Sequence, residues 1–213
     1  MEGIIRILIA DDHAVVREGL AQILKKCGDM EIVAEHANGA DALNWFHDHD
    51  CDVALLDIAM PGMSGIDLLK QLRDRKPDLP VLIISAYPED QYAVRLIKAG
   101  AVGYLNKECA PGEVVEAVRR VASGRKYISP AVVEMLADEV SMPGGRLPHE
   151  TLSNREYQIF LLLASAQTVA EIADTLKLSS KTISTYRSRI LDKMHLQNNA
   201  QLMRYAVDNN LLQ

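Results

Sequence analysis

Four short apolar runs in the first half of the chain each break off at a residue with chemistry to offer. Ile4 to Ala10 gives way to Asp11-Asp12, and Val53-Ala54-Leu55-Leu56 to Asp57. Val81-Leu82-Ile83-Ile84 stops at Ser85, and Tyr104-Leu105-Asn106 leads into Lys107. Runs this short and this uniformly apolar suit strands buried on both faces, which belong to parallel sheets covered by helices. Between them, apolar residues recur at helical spacing: Val15/Val16/Leu20/Ile23/Leu24, then Ile66/Leu68/Leu69/Leu72, and last Val114/Val115/Val118/Val121. Strands are therefore predicted at Ile5–Ala10, Glu31–His36, Val53–Asp57, Val81–Ser85 and Gly103–Asn106. Such alternation makes an α/β, doubly wound, five-stranded parallel sheet with right-handed crossovers. Gly100 and Gly124 follow helical patterns, where a left-handed C-cap is wanted. In this fold the C-terminal edge of the sheet is where ligands bind, so all four run ends meet there.

The pattern stops after residue 124. A short helix is predicted over roughly Pro130–Val140, then Met142-Pro-Gly-Gly-Arg-Leu-Pro148 interrupts any regular element. From residue 151 onward strand signals are absent. Ser153 with Glu156, and Thr168 with Glu171, read as capping boxes opening two helices. Ser179 or Ser180 opens a third that runs to about Met194, and a fourth spans about Asn198 to Asp208. Three segments result: an α/β domain at 1–124, a linker with a short helix at 125–150, and a small all-α helix-turn-helix domain at 151–213.

Charge separates the two domains. The net charge is −6, but residues 151–213 carry seven Lys and Arg against five Asp and Glu, or +2, which leaves −8 on residues 1–150. Within 177–193, five basic residues (Lys177, Lys181, Arg187, Arg189, Lys193) face one acid, Asp192. A basic stripe on an otherwise acidic chain points to different partners for the two domains and argues against general nucleic-acid binding. Cys27, Cys51 and Cys109 are widely spaced and odd in number, which fits a reducing cytoplasm rather than a disulfide framework. The apolar runs are far short of a membrane span, and no basic-then-apolar leader opens the chain.

The strand-end residues make a coherent set. One carboxylate, Asp57, can attack a phosphoryl group if its charge is neutralised, and Asp11, Asp12 and Asp57 suit an octahedral Mg2+ that keeps some of its waters. Lys107 would hold the transferred phosphoryl group as a point charge, and the Ser85 hydroxyl would donate to another of its oxygens. A phosphoaspartate hydrolase would also start from an aspartate nucleophile, but its second acid two residues on is here Ala59. His47-Asp-His49 invites a metal assignment, yet residues two apart point to opposite sides of a helix. In the third C-terminal helix, Ile183, Ile190, Leu191 and Met194 take the buried face. Ser184, Thr185 and Ser188 then face outward with Thr182, Lys181, Arg187, Arg189 and, at the helix end, Lys193. Hydroxyls and arginines suit base edges, and lysines suit phosphates.

With Asp11-Asp12, Asp57-x-x-Met60-Pro61-Gly62, Ser85-Ala86 and Lys107 in this order, the chain resembles a response-regulator receiver domain. Leu152-Ser-Asn-Arg-Glu156, Glu171-Ile-Ala173, Leu176 and Ser180–Lys193 resemble the LuxR/NarL-type DNA-binding domain. The resemblance implies a flavodoxin-like receiver phosphorylated on Asp57 by a sensor histidine kinase or a small acyl phosphate. It implies that Ser85 and Tyr104 form the switch, and that phosphorylation controls binding to promoter DNA, as a homodimer, with RNA polymerase as a further partner. A regulator that binds DNA without phosphorylation is the alternative. Three positions depart from the pattern: Ala166 stands where Gly is usual, at small expected cost; Tyr186 replaces a histidine; and Glu108 follows Lys107 where proline is frequent.

Overall fold

A computed structural model describes residues 3–141, 147–209 and 211–212. They form two compact units, Met1–Ser141 and Met142–Gln213. The first alternates strands and helices: β1 (Ile5–Ala10), α1 (Ala14–Lys25), β2 (Met30–His36), α2 (Gly39–Trp45), β3 (Val53–Asp57), α3 (Gly65–Arg75), β4 (Val81–Ser85), α4 (Glu89–Lys98), β5 (Gly103–Asn106) and α5 (Pro111–Ala122), followed by α6 (Pro130–Ser141). All strands pair in parallel, in the order β2-β1-β3-β4-β5. Order 2-1-3 reverses direction at β1, so the crevice above β1 and β3 is the switch point of the sheet. The predicted strands agree with the observed ones except β2, which begins one residue earlier at Met30.

Every residue of β3 and β4 is buried. Ile7, Ile9, Leu55, Leu82, Ile84 and Leu105 pack on one side against Leu20 and Leu24 of α1 and Val114, Val118 and Val121 of α5. Burying each such side chain contributes about 1.5–3 kcal/mol, which is what holds the strand ends in register. Gly100 and Gly124 do adopt positive φ, 105° and 78°, just past α4 and α5.

Helix α6, the short helix predicted within the linker, packs on α4. Its approach is prepared by Tyr127, whose N–H donates to the Val102 carbonyl at 2.9 Å and which forms a parallel bridge with Gly103. A side chain at Gly103 would meet the Tyr127 carbonyl oxygen at 2.6 Å, so glycine permits this contact. Of the Pro/Gly-rich segment 142–148, residues 142–146 lie outside the described residues.

The second unit holds α7 (Asn154–Ala164), α8 (Val169–Thr175), α9 (Ser180–Lys193) and α10 (Asn199–Asp208). Ser153 and Thr168 accept the N3 backbone N–H of α7 and α8 as their capping boxes require, and Ser179 rather than Ser180 caps α9. The aromatic core joins Tyr157 and Phe160 of α7 to Tyr205 of α10, whose hydroxyl meets His149 Nδ1 at 2.8 Å. Ala166, expected to cost little in place of glycine, instead adopts φ 63°, in the left-handed region just past α7. A Cβ there is unfavourable by about 1–2 kcal/mol, so the substitution is a real expense that the rest of the helix pair carries. No cis peptide occurs among the described residues, Lys107-Glu108 included.

Candidate phosphoryl-acceptor site and basic helix face

The sheet brings the predicted strand-end residues to one edge. Asp57 is the last residue of β3 and lies opposite Ile84, one position before Ser85. Ser85 in turn pairs with Asn106, the residue before Lys107. Across β1, Ala10 pairs with Leu56, which sets Asp11 beside Asp57. Lys107 joins the two acids: its Nζ is 2.7 Å from Asp11 Oδ2 and 3.1 Å from Asp57 Oδ2. Asp11 is fully buried, Asp57 is 2% exposed and Lys107 11%. These are charges held away from water, where a counterion is obligatory. Burial pushes the Asp57 carboxyl above the usual carboxylate range; the Lys107 ammonium pulls it down and the Asp11 carboxylate pushes it up again.

Local structure fixes each piece. Arg17 of α1 donates to the Asp11 carbonyl at 2.6 Å, and the His13 backbone N–H donates to Asp11 Oδ1 at 2.8 Å. After Asp57 the chain turns through Gly62 at φ 69°, and Ser64 caps α3 by accepting the Asp67 N–H. Gly65 then passes so close to Asp57 that a Cβ would sit 1.9 Å from the Asp57 carbonyl oxygen. Lys107 is tied to β4 through its N–H, which donates to the Ser85 carbonyl at 2.8 Å.

Carboxylate oxygens of Asp11, Asp12 and Asp57 and a nitrogen of His13 all lie within 4.8 Å of one another. Asp11 Oδ2 and Asp57 Oδ2 are buried, and both face the Lys107 ammonium. Hard, converging oxygens of this kind fit a small divalent cation. His13, which directly follows the acid pair, supplies the nitrogen of this cluster.

Tyr104 is only 5% exposed, with its hydroxyl donating to the Tyr87 carbonyl at 2.7 Å. Burial pushes the phenol well above its ordinary value, opposed by a hydrogen bond with Ser85, so it stays a neutral donor. Ser85 is fully buried, and its Oγ accepts the Tyr87 N–H at 3.1 Å. The Tyr87 ring lies 5.0 Å from that of Tyr92 on α4. A chain of contacts thus runs from the acidic edge through Ser85, Tyr104 and Tyr87 to α4, and from α4 to α6.

In the tempting His47/His49 pair, each Nδ1 meets a backbone carbonyl, that of Asn44 and Trp45 respectively. His49 also stacks on Trp45 at 4.9 Å.

In the second unit, Ile183, Ile190, Leu191 and Met194 of α9 are buried, as their spacing requires. Lys181, Ser184, Thr185, Ser188 and Arg189 are exposed. Spacings of three, four, seven and eight from Lys181 lay them along one stripe. The other candidates are engaged within the unit. Arg187 Nε donates to Asn199 Oδ1 at 2.7 Å, Thr182 Oγ1 meets Ser179 Oγ at 2.8 Å, and Lys193 Nζ donates to Glu156 Oε2 at 2.6 Å. Glu156 is buried, which pushes its carboxyl up, but Lys193 and the Ser153 N–H hold it below the usual range on balance. A carboxyl lowered on folding adds stability above about pH 4.5 and loses it as pH falls through the folded-state value. Glu156→Gln is therefore expected to destabilise the protein at neutral pH, by a margin that closes in acid. Urea titrations at the two pH values check this, and an equal margin at both would contradict it.

Comparison with known proteins agrees with this geometry. Residues 7–119 match the response regulator receiver domain family, and residues 150–206 match the family described as bacterial regulatory proteins, luxR family. The chain is 35% identical over 209 residues to response regulator GacA of Pseudomonas aeruginosa, covering 98% of each. It is 34% identical over 208 residues to response regulator UvrY of Escherichia coli, covering 97% of this chain and 95% of that one. Among solved structures it resembles RcsB of Salmonella enterica serovar Typhimurium, bound to promoter rprA with the phosphomimetic BeF3−. The TM-score there is 0.62 at 25% identity, covering 94% of this chain and 97% of that one.

Proposed function

The chain belongs to the two-component response regulators that join a receiver domain to a LuxR-type DNA-binding domain, and from that membership we propose that phosphorylation of Asp57 controls its binding to promoter DNA. It regulates transcription and is not a classical enzyme; the reaction proposed for it is the phosphorylation and dephosphorylation of its own carboxylate. The observation that carries the reading is Asp57 itself, buried at the end of β3 between Lys107 and the acid pair.

In this account residues 1–124 receive the phosphoryl group, 125–150 link, and 151–213 bind DNA. The donor is a sensor histidine kinase or a small acyl phosphate. An Asp57 oxygen attacks phosphorus while the bond to the donor's leaving group breaks, giving an acyl phosphate. Asp11, Asp12 and Asp57 would hold a divalent cation, Mg2+, which when bound would neutralise the charge that meets the incoming phosphoryl group. Lys107 shifts its ammonium onto the phosphoryl oxygens, releasing Asp11, and the Ser85 hydroxyl turns to donate to another oxygen. That turn breaks the bond from the Tyr87 N–H, and Tyr104 follows. Helix α4, and α6 upon it, carry the change toward the linker. A charge-assisted hydrogen bond is worth about 1.5–3 kcal/mol, enough for a shift of roughly ten- to a hundredfold between two states.

On DNA, Ser184, Thr185, Ser188 and Arg189 read base edges and Lys181 meets a phosphate. Thr182, Arg187 and Lys193 brace the helix, in keeping with their engagement inside the unit. The protein acts as a homodimer on paired half-sites, with RNA polymerase as a later partner. A cytoplasmic site of action is supported by three free thiols. It also agrees with the lack, among the described residues, of a helix long and apolar enough to cross a membrane.

The test is to incubate the full chain with a small acyl phosphate and Mg2+, trap the product and map it by mass spectrometry. One phosphoryl group is expected, on the peptide containing Asp57, and none in excess chelator. A modification elsewhere, or one that survives chelation or Asp57→Ala, would contradict the assignment.

A further inference from the structure

We infer that the segment running from Tyr127 into α6 is an autoinhibitory clasp: docked on both β5 and α4, it opposes the phosphorylated state of Asp57, and a phosphoryl group there releases it. This rests on the reading of Asp57 as the acceptor. The clasp has two anchors on two different elements. At one end, Tyr127 is bridged to Gly103 of β5, and its N–H donates to the Val102 carbonyl at 2.9 Å. At the other, α6 packs on α4, and Val132 in its first turn is 1% exposed while the neighbouring Val133 is 52% exposed. Ser129 starts that helix, its Oγ accepting the Val132 N–H at 3.2 Å.

Between the anchors the chain borders open space. A cavity of about 450 Å3 is lined by Tyr104 on one side and by residues 127–130 on the other. The clasp therefore passes the proposed switch residue without packing tightly on it, and its two ends do the holding.

Those ends tie α4 to β5. Tyr87 accepts the Tyr104 hydroxyl's hydrogen bond, gives its own N–H to Ser85, and lies with its ring 5.0 Å from that of Tyr92 on α4. Ser85 turned toward Tyr87 is the arrangement that a phosphoryl group would undo. Movement of Tyr87 then reaches α4, while β5 stays paired with β4 in the sheet. A clasp bound to both elements fits only one of the two positions of α4, so docking favours the phosphoryl-free state. Linkage makes this reciprocal. Whatever factor the docked clasp removes from the affinity for a phosphoryl group, that group removes from docking.

The experiment uses the full chain with Mg2+ and the phosphoryl mimic BeF3−, whose binding is an equilibrium. Affinity is measured for wild type, Val132→Asp and Val133→Asp, and hydrogen exchange is followed over residues 127–137. In wild type, BeF3− should speed exchange in this segment by about fivefold or more. Val132→Asp should exchange fast without the mimic and bind it tighter by a similar factor, whereas Val133→Asp, with the same added charge on the exposed side, should match wild type. Unchanged or slower exchange on adding BeF3− to wild type would overturn the clasp, and needs no variant to fold. Wild-type affinity in a Val132→Asp protein whose α6 exchanges fast would overturn it too, as would equal tightening in Val133→Asp. BeF3− binding that survives Asp57→Ala would instead overturn the acceptor reading, and this inference with it.

Discussion

Lys107→Ala is expected to lower folding stability in metal-free buffer by about 3–5 kcal/mol, the cost of leaving a buried ion pair without its cation. The lysine is 11% exposed and serves two acids, Asp11 and Asp57, which are themselves buried. Without it they face each other across the sheet edge with no positive charge between them. A divalent cation should then recover more stability in the variant than in wild type, because a ligand that binds only the folded state stabilises according to its affinity. Removal of the competing ammonium raises that affinity. Urea unfolding with chelator and with excess Mg2+ measures both quantities. The variant should still accept a phosphoryl group at Asp57 but fail to relay it. Equal stability of variant and wild type in chelator would mean that Lys107 is not the counterion of the acidic floor.

Gly65→Ala should destabilise by about 2–3 kcal/mol, although alanine is the better helix former. The new Cβ would lie 1.9 Å from the Asp57 carbonyl oxygen and 2.8 Å from its carbon, both backbone atoms that cannot swing aside. Either the start of α3 or the end of β3 must move, and the second choice displaces the acceptor. Gly19 provides the contrast, since an added Cβ there, within α1, meets nothing within 4 Å. Gly19→Ala should therefore stabilise by about 0.5–1 kcal/mol. Opposite signs for the two substitutions in one denaturation series are the expected result; a neutral Gly65→Ala would show that the close approach is not maintained in solution.

What could be read from the chain follows from which interactions are local. The strands were legible because β3 and β4 are buried on both faces and so are written as unbroken apolar runs. Helix starts were legible where a hydroxyl and a glutamate three residues apart reveal a cap, as at Ser153 and Thr168. The acceptor edge was legible because a parallel sheet sends every strand end to the same side. Contacts between residues distant in sequence were not. Nothing near Lys193, exposed as its place at the helix end predicts, announces its bond to Glu156, and nothing near the half-buried Arg187 announces Asn199. The bridge ahead of α6 rests on the missing side chain of Gly103 and on a main-chain bond from Tyr127, neither of which has a periodic signature. Ala166 shows the same blindness at one residue: its identity was plain, but the positive φ that makes it costly is imposed by packing after α7.

The central claim, that a phosphoryl group on Asp57 sets the affinity for DNA, is tested most directly by titrating a selected promoter fragment with the full chain, with and without a small acyl phosphate, for wild type and Asp57→Ala. In wild type the midpoint should shift by roughly ten- to a hundredfold on phosphorylation, the range that one charge-assisted hydrogen bond supports. Asp57→Ala should give a single curve under both conditions. An unshifted wild type, or an equal shift in Asp57→Ala, would contradict the account.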